Sequence, residues 1–217
     1  MITLEEAARA TGGAWLAKPL SGETPLLGGA FDTRDLGRAE MFFALEGDES
    51  DGHRYLARLN GSGVKLAVVH HPVPMETMAD NPGLAVLQTG NTLKALADMA
   101  AYVVEKYRPR VVAVTGSYGK TTTKEVIAHV LSGAMSLLKT PGSLNNEIGV
   151  PITLLSLEEG HQAVVLEFSA RKPGDIETLG RIAAPHVAVL LNVGRAHIGV
   201  FGSQQAIFET KGEIFNH

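Results

Sequence analysis

Residues 111–125 read VVAVTGSYGKTTTKE and concentrate more potential chemistry than any other stretch of the chain. An apolar run ends at Thr115, Gly116 and Gly119 bracket Ser117 and Tyr118, and Lys120, Thr121 and Thr122 open a segment of helical character. A strand feeding a glycine turn and then a helix aims backbone N–H groups and the positive end of the helix dipole at one point, which suits an anion. Lys120 is placed to reach the β- and γ-phosphates of a nucleotide, and the Thr121 hydroxyl to ligate Mg²⁺. The general phosphate-loop pattern has a glycine where this chain has Val114, so the loop is unusually short. A glycine turn followed by a chance Lys-Thr is the plainer alternative, and it leaves the flanking strand and helix unexplained.

Four further places carry candidate residues. Glu167 ends the apolar run of HQAVVLEFS. Ligands of open parallel sheets bind beyond the carboxyl ends of strands, so this carboxylate is either a metal ligand or a solvated strand-end acid. In LLNVGRAHIG, Asn192 sits at a strand end with one hydrogen bond to offer, and His197 follows in the loop, where a lone histidine is more often incidental than a ligand. Lys211, on the last helix, reads by itself as a solvated lysine stabilised near a helix C-terminus. The loop TPGSLNNEIGVP, 140–151, holds Asn145 and Asn146, which either form a tight turn or aim amides at phosphate or substrate.

These residues need elements to position them. Beyond the RPR at 108–110, where proline ends a helix over TLKALADMAAYVVEKY capped by Asn91, strands and helices alternate. The strands are RVVAVT, HQAVVLEFS and HVAVLLNV; the helices are TTKEVIAHVLSG, PGDIETLGRIA with proline at its start, and one ending at KGEIF. Near-continuous apolar strands between helices indicate a parallel sheet covered on both faces. The preceding part is mixed: a helix capped by Thr3 with Glu6, strands at EMFFAL, KLAVVH and GLAVLQ, a helix in HRYLARLNGSG, and a proline-rich connecting loop over 71–83. The fold class is α/β, with a small mixed domain over 1–108 and a parallel-sheet domain of P-loop type over 109–217.

Composition narrows the function. Hydrophobic residues make up 45% of 217 and the formal net charge is −4, which argues against a general nucleic-acid binder. The chain has no cysteine, so disulfides, thiolate metal sites and cysteine nucleophiles are excluded. MITLEEAARATGG is no secretory signal, and no apolar run is long enough to span a membrane; a cytoplasmic protein without membrane insertion is expected.

Taken together the segments resemble the Mur ligase family, whose ATP loop T-G-x-x-G-K-T-T is Thr115–Thr122 here. The short spacing is then a family feature. GSLNNEIGVPITLL, NVGRAHIGVFGS and KGEIF resemble the branch that adds D-alanyl-D-alanine to UDP-N-acetylmuramoyl-tripeptide through an acyl phosphate. The N-terminal half looks like the family's uridine-nucleotide domain, with pattern D-S-R, F-x-A-L-x-G and D-G-H. The matching positions are Asp32, Thr33 and Arg34; Ala44, Leu45 and Gly47; and Asp51, Gly52 and His53. The resemblance implies ATP and Mg²⁺, with Thr115, Gly116, Ser117, Gly119, Lys120, Thr121 and Thr122 around the phosphates and Asn145 and Asn192 as further nucleotide contacts. It implies one Mg²⁺ on Thr121 and Glu167 and a second on His197. Lys211 matches a lysine that family members carbamoylate, and Asn145 or Asn146 matches a loop asparagine near the phosphates. As catalytic groups it implies Lys120, His197, Lys211 and Asn146, in an enzyme expected to be a monomer at full length.

The match departs from the family in places. Thr33 replaces a serine, Arg195 replaces the proline of N-V-G-P-A-H, and EFSARKPGD differs from the commoner E-x-G-A-x-x-x-G-E. The family's later central strands and its C-terminal domain have no counterpart in the 217 residues, so a sheet edge and an apolar face are expected to be uncovered and the chain alone to lack ligase activity. The alternatives are a sibling ligase adding a different amino acid, or a nucleotide-binding module without catalysis. Folylpolyglutamate synthase usually has G-K-G where this chain has Gly119-Lys120-Thr121, and no guanine-specific Asn-Lys-x-Asp motif supports a GTPase.

Overall fold

The apolar runs at 110–115, 163–167 and 187–190 do not alternate an inner with an outer face, so a sheet that holds them must be covered on both sides. The computed structural model describes residues 1–18, 21–194 and 198–217. They divide into two units, Met1–Tyr102 and Val103–His217. The division falls inside a helix that ends at Tyr107, ahead of the sequence boundary at 108.

The first unit begins with β1 (Ile2–Thr3) and α1 (Leu4–Thr11). Thr3 caps α1 as the sequence predicts: its hydroxyl accepts from Glu6 N at 3.2 Å, and Glu6 accepts from Thr3 N at 2.8 Å. β2 (Ala14–Ala17), β3 (Pro25–Leu26), β4 (Gly29–Ala30) and β5 (Met41–Phe43) follow, then a 3₁₀ helix at Gly52–Leu59 where an ordinary helix was expected. β6 (Leu66–Val69), α2 (Met75–Ala79) and β7 (Ala85–Gln88) follow, and α3 (Thr92–Tyr107) carries the chain past the division. The segment 71–83, read as a plain loop, thus contains the one-turn helix α2. The sheet order is β2-β7-β6-β5-β4, parallel except for β2 against β7. Phe42, Ala44, Leu56, Leu59, Ala67, Val69 and Val86 form a core beneath it. α3 starts where Asn91 Oδ1 accepts from Lys94 N at 2.8 Å. It stops at Arg108, whose φ of +48° is a left-handed value before Pro109, which disfavours helix there.

The second unit comprises β8 (Arg110–Thr115), α4 (Lys120–Ser132), β9 (Leu137–Lys139), α5 (Gly149–Leu154), β10 (Ala163–Glu167), α6 (Asp175–Ala183), β11 (Val187–Leu190), α7 (Ile198–Phe201) and α8 (Gln204–Gly212). Its sheet order is β11-β8-β10-β9, parallel throughout. Every residue of β10 is buried, whereas β11 is an edge strand on which Val187 is 52% exposed. Pro173 precedes α6 instead of opening it, because Gly174 takes the capping position at φ +87°. β9 and α5 were not read from the sequence. Three residues are too few to show a period, and α5 lies inside what looks like a loop.

Gly149 fixes how that loop closes. A β-carbon there would lie 2.4 Å from the Leu144 carbonyl carbon and 2.5 Å from its Cα, both backbone atoms that cannot rotate away. Gly149→Ala is therefore expected to destabilise the second unit by ~1–3 kcal/mol, read as a lowered urea midpoint at unchanged slope.

Candidate functional site

The carboxyl ends of β8 and β10 lie side by side, with Glu167 in register with Val114. The chain leaves β8 through Thr115, whose hydroxyl donates to Phe168 O at 3.0 Å and ties the two strand ends together. Gly119 then adopts φ +80°, a left-handed conformation that favours glycine, and α4 begins at Lys120. No side chain caps α4, in contrast to α1. Its first N–H groups are the kind that bind an anion.

Asn192 clamps the loop. Its carbonyl accepts from Ser117 N at 3.1 Å, its Oδ1 accepts from Tyr118 N at 3.1 Å, and its Nδ2 donates to Tyr118 O at 3.1 Å. Ser117 Oγ accepts from Gly194 N at 2.9 Å. Asn192, read as a nucleotide contact with one bond to offer, instead spends its amide on the loop backbone, and the Ser117 hydroxyl likewise braces the segment after β11. Gly116 packs against this segment, since a β-carbon there would meet Leu191 Cβ at 3.1 Å. Thr122 is exposed on the first turn of α4.

Glu167 is 2% exposed. Its Oε2 accepts from the Thr121 hydroxyl at 2.8 Å and its Oε1 from Asn145 Nδ2 at 2.7 Å, while its backbone N–H donates to Thr140 Oγ1 at 3.1 Å. Among the described residues no cationic side chain pairs with it. The reading as a solvated strand-end acid is thereby excluded. A Mg²⁺ ion with octahedral oxygens at ~2.1 Å places neighbouring ligands ~3.0 Å apart, close to the Thr121–Glu167 separation of 2.8 Å. A buried carboxylate and a hydroxyl at that spacing fit such an ion.

The two asparagines separate by role. Asn145 faces Glu167. Asn146 Oδ1 accepts from Gly149 N at 2.9 Å and from Ile148 N at 3.3 Å, which turns the chain into α5. Asn146, expected among the catalytic residues, is thus held by its own turn, and Asn145 is the one at the site.

Lys211 overturns the solvated reading given to it from position alone. It is 6% exposed, and its Nζ donates to Gly116 O at 3.2 Å. Lys120 Nζ donates to the same carbonyl at 2.9 Å. Burial, and then the neighbouring charge of Lys120, lower the Lys211 amine from 10.5 to about 8. His197 and the neighbouring Arg195 lie outside the described residues.

Lys124 is a residue that sequence reading missed. It is fully buried, and its Nζ donates to Thr140 O at 2.7 Å and Gly142 O at 3.2 Å, with Glu125 Oε1 at 3.1 Å. It pins the start of the loop that delivers Asn145. Its only signal is a lysine one turn into α4 on the face packed toward β10.

In the first unit, the strand-end residues Ala44, Leu45 and Gly47 and the triplet Asp51-Gly52-His53 come together. Gly52 N donates to Leu45 O at 2.8 Å, and a β-carbon on Gly52 would lie 2.9 Å from Ala44 Cα. Gly47 N donates to Ser50 O at 2.9 Å. Asp51 Oδ1 accepts from His53 N at 2.9 Å and starts the 3₁₀ helix. Asp32 and Arg34 form an exposed bidentate pair, with Nη2 to Oδ2 at 2.6 Å and Nε to Oδ1 at 2.9 Å, and the guanidinium holds the Asp32 carboxyl down at about 2. Thr33, between them, is partly exposed.

Known proteins resemble the chain along most of its length. Residues 114–217 match the Mur ligase middle domain. The UDP-N-acetylmuramoyl-tripeptide–D-alanyl-D-alanine ligase of Bacillus subtilis is 38% identical over 203 residues, 93% of this chain and 43% of the relative. The ligase of the same name from Synechocystis is 40% identical over 186 residues, 86% of this chain and 40% of the relative. Among solved structures, MurF from Acinetobacter baumannii superposes with a TM-score of 0.87 at 36% identity, covering 100% of this chain and 46% of that one. MurF ligase from Thermotoga maritima in complex with ADP superposes with a TM-score of 0.75 at 35% identity, covering 87% of this chain and 43% of that one. The chain thus spans less than half the length of the relatives it matches.

Two outcomes follow from this geometry. Lys124→Met keeps the apolar stem and removes the donor. It is expected to lower stability by ~1–3 kcal/mol in urea unfolding as the Asn145 loop loosens; an unchanged urea midpoint would show that these hydrogen bonds do not hold the loop. For Lys211, a folded-state value below the unfolded one means that the folded chain binds fewer protons. Stability is therefore expected to rise with pH between about 8 and 10.5, and Lys211→Met to abolish that rise, as measured by unfolding at both ends of the window.

Proposed function

The chain belongs to the Mur ligase family, and on that premise we propose that it carries the nucleotide-handling part of an ATP-dependent amide ligase that joins D-alanyl-D-alanine to UDP-N-acetylmuramoyl-tripeptide. The observation that carries the reading is the 2.8 Å contact between the Thr121 hydroxyl and the buried Glu167 carboxylate at the uncapped start of α4. The relatives' names supply the two substrates. The enzyme is read as a cytoplasmic monomer; among the described residues no helix is long and apolar enough to cross a membrane.

In this reading the terminal carboxylate of the UDP-linked peptide attacks the γ-phosphorus of ATP. The bond to the β,γ-bridging oxygen breaks and ADP leaves with that oxygen. The dipeptide amine then attacks the acyl carbon, gives up a proton, and the tetrahedral adduct collapses to the amide and phosphate. Two anions must approach one another, so positive charge between them lowers the barrier most. The N–H groups of α4 receive phosphate oxygens, and Lys120 turns from Gly116 O toward the β- and γ-phosphates. Thr121 and Glu167 would hold Mg²⁺, which would supply Lewis-acid neutralisation of the phosphate charge. Asn145 keeps the Glu167 carboxylate oriented. His197 is assigned a second Mg²⁺ by resemblance alone. Lys211, with an amine near pH 8, is set to add CO₂ with loss of a proton; the carbamate anion so formed would sit beside the Lys120 cation.

Calorimetry on the 217-residue chain tests the assignment. UDP-N-acetylmuramoyl-tripeptide and ATP are each expected to bind. Lys120→Ala is expected to weaken only ATP, and Arg34→Ala only the UDP ligand, each at least ~10-fold. Failure of the UDP ligand to bind would remove the ligase reading and leave a bare nucleotide module. Phosphate release dependent on both substrates is not expected from these residues alone. A ¹³C carbamate signal on Lys211 is expected in bicarbonate near pH 8.

A further inference from the structure

The first unit holds a group of side chains of which the ligase reading uses only His53. One ligand atom each of His53, His70 and His71 lies within 4.8 Å of the others, and Glu46 joins them. Glu46 Oε2 is 3.1 Å from His70 Nε2 and 3.3 Å from His71 Nε2, and the two rings are 4.0 Å apart between centroids.

Hydrogen bonding assigns the nitrogens. His53 Nε2 accepts from His70 N at 3.0 Å and from His71 N at 3.4 Å, so it carries no proton, and His53 Nδ1 donates to Asp51 Oδ1 at 2.6 Å. Both nitrogens of His53 are therefore engaged, and it serves to hold the His70–His71 backbone. The Thr92 hydroxyl donates its single proton to Ala44 O at 3.0 Å, so the 3.2 Å contact with His70 Nδ1 requires that nitrogen to be the donor. In the neutral imidazole the Nε2 lone pair then faces the Glu46 carboxylate. Such a pair at 3.1 Å is satisfied by a positive centre between the two atoms, either a proton on Nε2 or a metal ion. His71 presents its Nε2 to the same oxygen.

We propose that His70, His71 and Glu46 form a binding site for a divalent transition-metal ion of the zinc class. A tetrahedral ion with nitrogen and oxygen ligands at ~2.0–2.1 Å sets neighbouring ligands ~3.3–3.4 Å apart, against 3.1 and 3.3 Å here. Two imidazoles and one carboxylate favour zinc, copper or nickel over magnesium, which prefers an all-oxygen shell. The His71 and Glu46 side chains are 48% and 54% exposed, so an ion has a path in and an open fourth position. The site belongs to the first unit and the Thr121–Glu167 pair to the second, and it does not depend on the ligase assignment.

The test uses tag-free, chelator-dialysed 217-residue chain titrated with ZnCl₂ by calorimetry, with ¹⁵N imidazole spectra recorded in parallel. One Zn²⁺ per chain is expected, with the His70 and His71 Nε2 resonances shifted and His53 keeping its Nδ1–H form. His71→Ala and Glu46→Gln, both at exposed positions, are each expected to weaken zinc at least ~10-fold. Glu167→Gln is expected to leave zinc binding unchanged, and Mg²⁺ to move none of these resonances. No stoichiometric binding, or binding that survives both His71→Ala and Glu46→Gln, would overturn the site and leave an ordinary pair of histidine–carboxylate hydrogen bonds.

Discussion

A carboxylate removed from water must be compensated, and the second unit is arranged around one that is. Glu167 ends a strand whose five residues are all buried, and its two oxygens take hydrogen bonds from Thr121 and Asn145. Neutral donors offset only part of the desolvation of an ionised group. The remaining demand for positive charge is what makes this position suited to a bound cation rather than to a purely structural acid. Three separate segments have to meet for that arrangement to exist: the start of α4, the loop before α5, and the end of β10.

Each segment is held by its own contacts. The α4 segment is fixed by the left-handed Gly119 and by the Asn192 clamp. The Asn145 segment is fixed at one end by buried Lys124 and at the other by Asn146, with Gly149 allowing the backbone to close on Leu144. The strand end is tied by Thr115 and Thr140 hydroxyls across the sheet. Lys211 reaches Gly116 O from α8, so two lysines converge on one loop carbonyl, and their mutual repulsion adds to burial in weakening the Lys211 charge.

Much of this was legible in the sequence because it follows from local rules. The β8 and α3 bounds match the segments read from apolar runs and from Asn91 and Pro109, and the strand–glycine turn–helix order of the T-G-x-x-G-K-T-T loop points to nucleotide phosphate by itself. What was not legible depends on where a side chain points. Nothing local distinguishes Asn145 from Asn146, marks Lys124 as buried, or shows that Lys211 turns inward near a helix end. Asn192 looked like a ligand because strand-end polar residues often are, and its partners are fixed only when β11 lies beside β8. The histidines at 70 and 71 follow an apolar strand and join Glu46 only through the parallel pairing of β5 with β6.

Glu167 with Thr121 is proposed to make the nucleotide site dependent on a divalent cation. The most direct test of this dependence is calorimetric titration of ADP into wild-type chain and Glu167→Gln, each with and without Mg²⁺. The account predicts that Mg²⁺ strengthens ADP binding to the wild type and has no effect on the variant. Mg²⁺ strengthening ADP binding equally in both proteins would contradict it.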